Sequence, residues 1–284
     1  LFLLASASVT GAFAQSNGLT DMSQSRYAKM ANTGIDAVHW TNGFWGERFN
    51  VFSGTSLQSM WNTWNTPEVS HGFRNFEIAA GICKGEHWGP PFHDGDMYKW
   101  MEGVASVYAV NKDPELDKLM DNFIACVVKA QRADGYIHTP VIIEELNKGI
   151  DSHTQADSQQ QTVIGTKVGS EDEKGAFANR LNFETYNLGH LMMAGIVHHR
   201  ATGKTTLLDA AVKATDFLCH FYETASAELA RNAICPSHYM GVVEMYRATG
   251  NPRYLELSKN LIDIRGMVES GTDDNQDRIP FRDQ

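Results

Sequence analysis

The stretch ATGKTTLLDAAVKATDFL, residues 201–218, returns 47 residues later as ATGNPRYLELSKNLIDI, residues 248–264. Going back 92 residues from Asp209 reaches Asp117, inside NKDPELDKLMDNFIACV, residues 111–127. Three units thus recur with a period of about 46 residues. Each has an apolar helix, a short turn (VNKDP, ATGKT, ATGNP) and a second, amphipathic helix. Gly203 and Gly250 can supply left-handed C-caps, and Pro114 and Pro252 suit the first turn of the helix that follows. Leu116, Met120, Phe123 and Val127 fall at helical spacing, as do Leu208, Ala211, Val212 and Thr215. Helix pairs of this period cannot bury their apolar faces singly and must stack on their neighbours. An open solenoid and a closed toroid of helical hairpins both meet that need. Tetratricopeptide-type repeats use a shorter period, about 34. The chain reads as all-α, with the toroid preferred.

Working outward, the polar stretch from about Glu144 to Lys174, with DSHTQADSQQQT at its centre, reads as a surface loop. The first fourteen residues, LFLLASASVTGAFA, carry no charge and end in Ala12-Phe13-Ala14. That pattern reads as the core and cleavage site of a partial secretory signal peptide, residues 1–14. Residues 15–284 are then exported, to the periplasm or the cell exterior. No later stretch approaches about 20 uncharged apolar residues, so no membrane span is expected in the mature chain. The chain stops at RIPFRDQ soon after a helical segment, and further sequence is expected beyond it. The net charge of -10 comes from interspersed acidic and basic residues. Without a basic stripe, nucleic acid is not an expected partner. Cys83, Cys126, Cys219 and Cys235 are far apart. The first three read as small buried apolar residues.

Four segments can carry chemistry. In HDGDMYKW, residues 93–100, Asp96 is expected to cap the helix it precedes. Asp94 stands open between capping and hydrogen-bonding a sugar hydroxyl. Trp40, Trp45, Trp61, Trp64, Trp88, Phe92, Tyr98 and Trp100 surround it in sequence, most of them core by default. In GYIHTP, residues 135–140, His138 is a candidate sugar contact, and the bland alternative is an exposed loop histidine. In NFETYNLGHL, residues 182–191, Glu184 sits on a first helical turn, where a carboxylate also complements the dipole. His190, among Leu188, Leu191, Met192 and Met193, reads as a core histidine. In ICPSHYMGVVEMYR, residues 234–247, Pro236 opens a helix and places Cys235 and His238 near its first turn, where a thiol gains acidity. H-E-x-x-H, G-x-S-x-G and phosphate-binding glycine loops are absent, which leaves zinc-protease, esterase and nucleotide readings without support.

At these motifs the chain resembles glycoside hydrolase family 127, the β-L-arabinofuranosidase family. The matching segments are FWGERF, HDGDMYKWMEGVA, KAQRADGYIHT, YNLGHL, VVEMYRATGNPRYLELSKNLIDIRG and DRIPFRDQ. The resemblance implies an (α/α)6 toroid, incomplete here at its C-terminal end, and an exo-acting hydrolase of plant cell-wall glycan. It implies a cysteine nucleophile beside a zinc ion held by cysteines and a glutamate, with another glutamate as acid/base. All of these would follow Gln284, so this chain supplies part of the sugar pocket and no zinc ligands. It is expected to be inactive alone.

Two departures bear on the substrate. Phe183 and Cys235 stand where arabinofuranosidase-type members look to have pocket histidines. These departures point to β-L-arabinofuranose or a different sugar, and the family is similar to enzymes that release branched acidic pectic sugars such as aceric acid, with His138 and His238 as replacement contacts. Asp94, His138, Glu184, Cys235 and His238 are the candidate carbohydrate-binding residues. Two other readings stay open. One is a non-catalytic glycan-binding helical protein of the cell envelope. The other is a toroidal polysaccharide lyase, which would leave an unsaturated sugar end.

Overall fold

A computed structural model describes residues 17–150, 177, 183–225, 230 and 238–266. Residues 1–14, most of the polar stretch, Cys235 and the side chain of His238 lie outside the described residues. The helix pairs expected from the repeat are present. They are α4 (His93–Asn111) with α5 (Pro114–Ala130), α7 (Glu184–Thr202) with α8 (Thr206–Thr224), and α9 (His238–Thr249) with α10 (Pro252–Gly266). Ahead of them come α1 (Gly43–Val51), a π-helical turn (Phe52–Ser56), α2 (Leu57–Trp64) and α3 (Gly72–Ala79), while α6 (Thr139–Asn147) joins the first pair to the second. The polar stretch expected to be loop from Glu144 therefore begins as helix. Among the described residues there is no strand.

The connections form as their residues dictate. Gly203 and Gly250 adopt left-handed φ of 78° and 71°, and Pro114 opens α5 behind an Asp113 cap that accepts from the Glu115 N–H. Helices α4, α7 and α9 pack side by side in that order, and α5, α8 and α10 make a second layer outside them. This double layer is the arc of an (α/α)6 toroid. Helix α7 is buried on nearly every side, with Leu188, Leu191, Met192, Ala194, Ile196 and Val197 all covered. A helix apolar all round belongs inside. On α8 the buried face is Leu207, Ala210, Ala211, Ala214, Phe217, Leu218 and Phe221. Of the residues at helical spacing, Ala211 and Thr215 are buried while Leu208 and Val212 lie at the margin of the face. The face is broader than one stripe because α8 packs on α7, α5 and α10 together.

The inner helices run parallel. Gly95 near the start of α4 donates its N–H to Asn187 near the start of α7. A Cβ on Gly241 near the start of α9 would lie 2.7 Å from the Gly189 carbonyl of α7. Three inner N-termini thus gather at one end. At the other end a buried ion pair joins Arg200 of α7 to Glu244 of α9 at 3.1 Å. Arg200 also donates to the Gly18 and Leu19 carbonyls, and Glu244 accepts from the Asp21 N–H. The pair straps residues 17–21 across the helix ends.

Between α5 and α6 the chain turns at Gly135, whose φ is +95°. A Cβ there would sit 2.2 Å from the backbone oxygen of Lys213 in α8. Gly135→Ala combines a left-handed residue with a clash against helix backbone. It is expected to cost about 3 kcal/mol or more, read by chemical denaturation.

The core histidine is His198, not His190. His190 lies 3.6 Å from Glu102 of α4 and is mostly but not fully covered. His198 is fully buried, and neither ring nitrogen has a hydrogen-bond partner among the described residues. Burial pushes its imidazole down to about 4 from 6.5. The unfolded chain takes up that proton below pH 6.5 and the folded chain only below about 4. Stability therefore falls as pH drops across that window. His198→Leu is expected to remove on the order of 3 kcal/mol of that acid loss. At pH 7 it is expected to stabilise by about 1–2 kcal/mol, because two stranded polar atoms leave the core. Denaturation curves at pH 7 and pH 4.5 check both.

Candidate functional site

At the gathered N-termini, helical residues of α4 and α7 meet the start of α6. Asp94 is 1% exposed. It accepts from Thr139, from the hydroxyl at 2.6 Å and from the backbone N–H at 2.7 Å. It thus satisfies the open end of α6, a helix 45 residues downstream, rather than its own. Burial pushes the Asp94 carboxyl up, but the neighbouring His138 imidazole and the two Thr139 bonds outweigh it, so the group is held below its usual range. Asp96 does not cap α4, which already begins at His93. It pairs instead with Lys99 at 3.1 Å, one turn on.

His138 is the residue before α6 and is completely buried, so it is no exposed loop histidine. Its Nδ1 lies 3.5 Å from Asp94 Oδ2 and 3.3 Å from Asn187 Nδ2. Its Nε2 has no partner among the described residues. Glu184, on the first turn of α7, is also buried. Both its oxygens are engaged, one by the Tyr136 hydroxyl and the other by the Phe177 N–H at 2.6 Å. Burial raises the Glu184 carboxyl above its usual range, against the opposing pull of His138, Tyr136 and the Phe177 N–H. Burial and the Glu184 charge push the Tyr136 phenol well up. The structure therefore brings Asp94, His138 and Glu184 into one buried polar cluster. The backbone of His238 begins α9 at the same end of the inner layer. Cys235 lies outside the described residues.

Sequence reasoning missed Tyr136, Thr139, Asn187 and His87. Each is tied to the cluster by a contact or charge across the fold. The available signal was Asn187, a polar amide in the first turns of an otherwise apolar helix, where a covered side chain needs partners. His87 lies close enough to Asp94, His138, His93 and His71 for their charges to act on it, and burial sends it down to about 4. Among the described residues, no group of three or more His, Cys, Asp or Glu side chains is arranged to hold a metal ion. Cys126 and Cys219 are buried singly, with burial raising each thiol to about 11. The described residues do not by themselves form a zinc site.

Phe183 begins α7 with a left-handed φ of 57°. Its ring meets Phe92 edge-on at 5.5 Å and Tyr186 at 6.0 Å. Of the other aromatics, Tyr98 and Trp100 are core, and Trp61 stacks on Trp100 at 5.0 Å. Trp40 and Trp45 are exposed along a separate apolar groove of about 680 Å³, beside Phe49, Phe52 and Arg48. No described helix is long and apolar enough to cross a membrane.

The family described as "Beta-L-arabinofuranosidase, GH127 catalytic domain" matches residues 37–284. The chain is 32% identical over 197 residues to a non-reducing end beta-L-arabinofuranosidase of Bifidobacterium longum subsp. longum, covering 69% of this chain and 27% of that protein. A solved glycoside hydrolase is 74% identical, with a TM-score of 0.65 over 95% of this chain and 33% of its own. The GH127 beta-L-arabinofuranosidase from Geobacillus stearothermophilus T6 is 28% identical, with a TM-score of 0.66 over 87% of this chain and 38% of its own. The chain thus spans about a third of the length of these relatives. With the repeat, the double-layered arc and a family match across nearly all of it, the chain belongs to the GH127 β-L-arabinofuranosidase family, through its catalytic domain.

Proposed function

We propose that the whole protein is an exo-acting glycoside hydrolase releasing a terminal sugar from plant cell-wall glycan. The sugar is β-L-arabinofuranose or a related pectic sugar such as aceric acid. The observation that carries this reading is the buried polar cluster of Asp94, His138, Asn187 and Glu184 where the inner helices of a GH127 arc begin. Carbohydrate recognition needs fixed polar groups beside aromatic faces. The Asp94 and Glu184 bonds fix this cluster, and His138 Nε2 is the polar atom in it left without a partner among the described residues. Phe92, Phe183 and Tyr186 supply the faces. Phe183 in place of a polar residue supports a sugar that differs from the arabinofuranose of its relatives, because buried polar recognition tolerates few losses.

Residues 1–284 alone do not turn the substrate over on this proposal. Asp94 and Glu184 are both committed to hydrogen bonds that hold the fold, which leaves the bond-breaking groups to be supplied elsewhere. The same commitment favours, as a second reading, a non-catalytic glycan-binding protein. A zinc requirement of the whole protein and its export, the latter on residues 1–14, belong to the proposal too. The test is a screen of the whole protein against arabinan and rhamnogalacturonan side-chain oligosaccharides, with and without chelator. Release of a saturated monosaccharide, lost with chelator, is expected. Binding without release would favour the second reading, an unsaturated product would indicate a lyase, and neither binding nor release would count against both glycan readings.

A further inference from the structure

Asn187 is buried inside α7, and its amide has one chemically sensible orientation. Its Oδ1 faces the Gly95 N–H at 2.9 Å and can only be the oxygen. Its Nδ2 faces the Pro91 carbonyl at 2.9 Å and can only be the nitrogen. One amide hydrogen is used on Pro91. The second has a single acceptor in reach among the described residues, His138 Nδ1 at 3.3 Å.

That nitrogen is contested. Asp94 Oδ2 lies 3.5 Å from the same Nδ1 and would accept a proton from it. Both Asp94 oxygens, however, already have Thr139 donors at 2.6 and 2.7 Å. If Nδ1 carried hydrogen, two N–H groups would face each other at 3.3 Å, and the buried amide would lose its only remaining acceptor. A stranded buried donor costs more than a third, long bond to a satisfied carboxylate gains.

We propose that Asn187 is a positioning residue that holds His138 as the neutral Nε2–H tautomer, with Nδ1 bare. The orphaned Nε2 is then a fixed hydrogen-bond donor, turned away from Asp94. Nε2 is itself covered in this structure. On the carbohydrate reading above, which the inference needs only for the identity of the acceptor, that donor meets a sugar oxygen across ordered water. Second-partner control of a histidine tautomer is a general device. The titratable groups around this imidazole are Asp94, Glu184 and His87.

The test is ¹⁵N spectroscopy of histidine-labelled protein at pH 7, which distinguishes bare from protonated ring nitrogens without any substrate. For His138 the expected spectrum has Nε2 protonated and Nδ1 bare. Asn187→Asp keeps an acceptor for Gly95 but removes the donor to Nδ1, so His138 is expected to carry hydrogen on Nδ1, with sugar affinity changed about tenfold. A wild-type spectrum with Nδ1 protonated overturns the inference, whether or not the variant folds. An unchanged tautomer in a folded Asn187→Asp protein also overturns it. The expected tautomer in a protein that binds no glycan supports the inference and counts against the carbohydrate reading alone.

Discussion

Asp94→Ala is expected to lower stability by about 3–5 kcal/mol. The substitution strands the Thr139 N–H and hydroxyl at the start of α6 and leaves a void beside the fully buried His138. Asp94→Asn keeps the shape and one acceptor, and is expected to cost less, about 1–2 kcal/mol. The pH dependence has a definite sign. The folded carboxyl is held below its ordinary 3.8, so its contribution is present above that pH and is lost as pH falls through the lowered value. Alanine at this position should flatten the acid limb of the stability curve below about pH 4. Chemical denaturation across pH 2.5–7 reads both effects. Equal losses for the two substitutions would show that shape, not the acceptor pair, is what Asp94 provides.

The Arg200–Glu244 pair should be comparably costly to break. The side chains are 5% and 2% exposed, and removing one charge from a buried pair leaves the other uncompensated. Glu244→Ala is expected to cost about 3–5 kcal/mol. Arg200→Ala is expected to cost about 3 kcal/mol, somewhat less because Arg247 also pairs with Glu244. Replacing both, Arg200→Met with Glu244→Leu, is expected to be milder than Glu244→Ala, since no charge is left stranded. Either single substitution should also free the strap over residues 17–21 and speed protease cleavage there. A double-mutant cycle with limited proteolysis checks this. Additive single effects with no change in cleavage would mean that the strap and the pair are independent.

The helix pairs were legible because their signals are local. The prolines at first turns and the apolar spacing of α5 each depend on a few neighbouring residues, and the return of Ala-Thr-Gly after 47 residues repeats one such local turn. The candidate cluster was legible only in part. Asp94, His138 and Glu184 are placed together, but what they bond to could not be read from spacing. Asp94 reaches Thr139 across 45 residues, and Asn187 reaches Gly95 across 92. Such pairings are set by how the inner helices align, which no local window contains. The same limit explains the exchange of His190 for His198. Both lie on a helix rich in apolar residues, and only the position of α4 decides which imidazole reaches Glu102. The breadth of the α8 face has the same origin. A helix covered by several neighbours at once buries more than its sequence periodicity announces.

The most direct test is a crystal structure of the whole protein with its released sugar bound. The sugar should lie over the starts of α4, α7 and α9, with His138 Nε2 linked to one of its oxygens through ordered water. A sugar seated elsewhere, in the apolar groove of Trp40 and Trp45 for instance, with the Asn187–His138–Asp94 set untouched, would contradict that placement of the carbohydrate site.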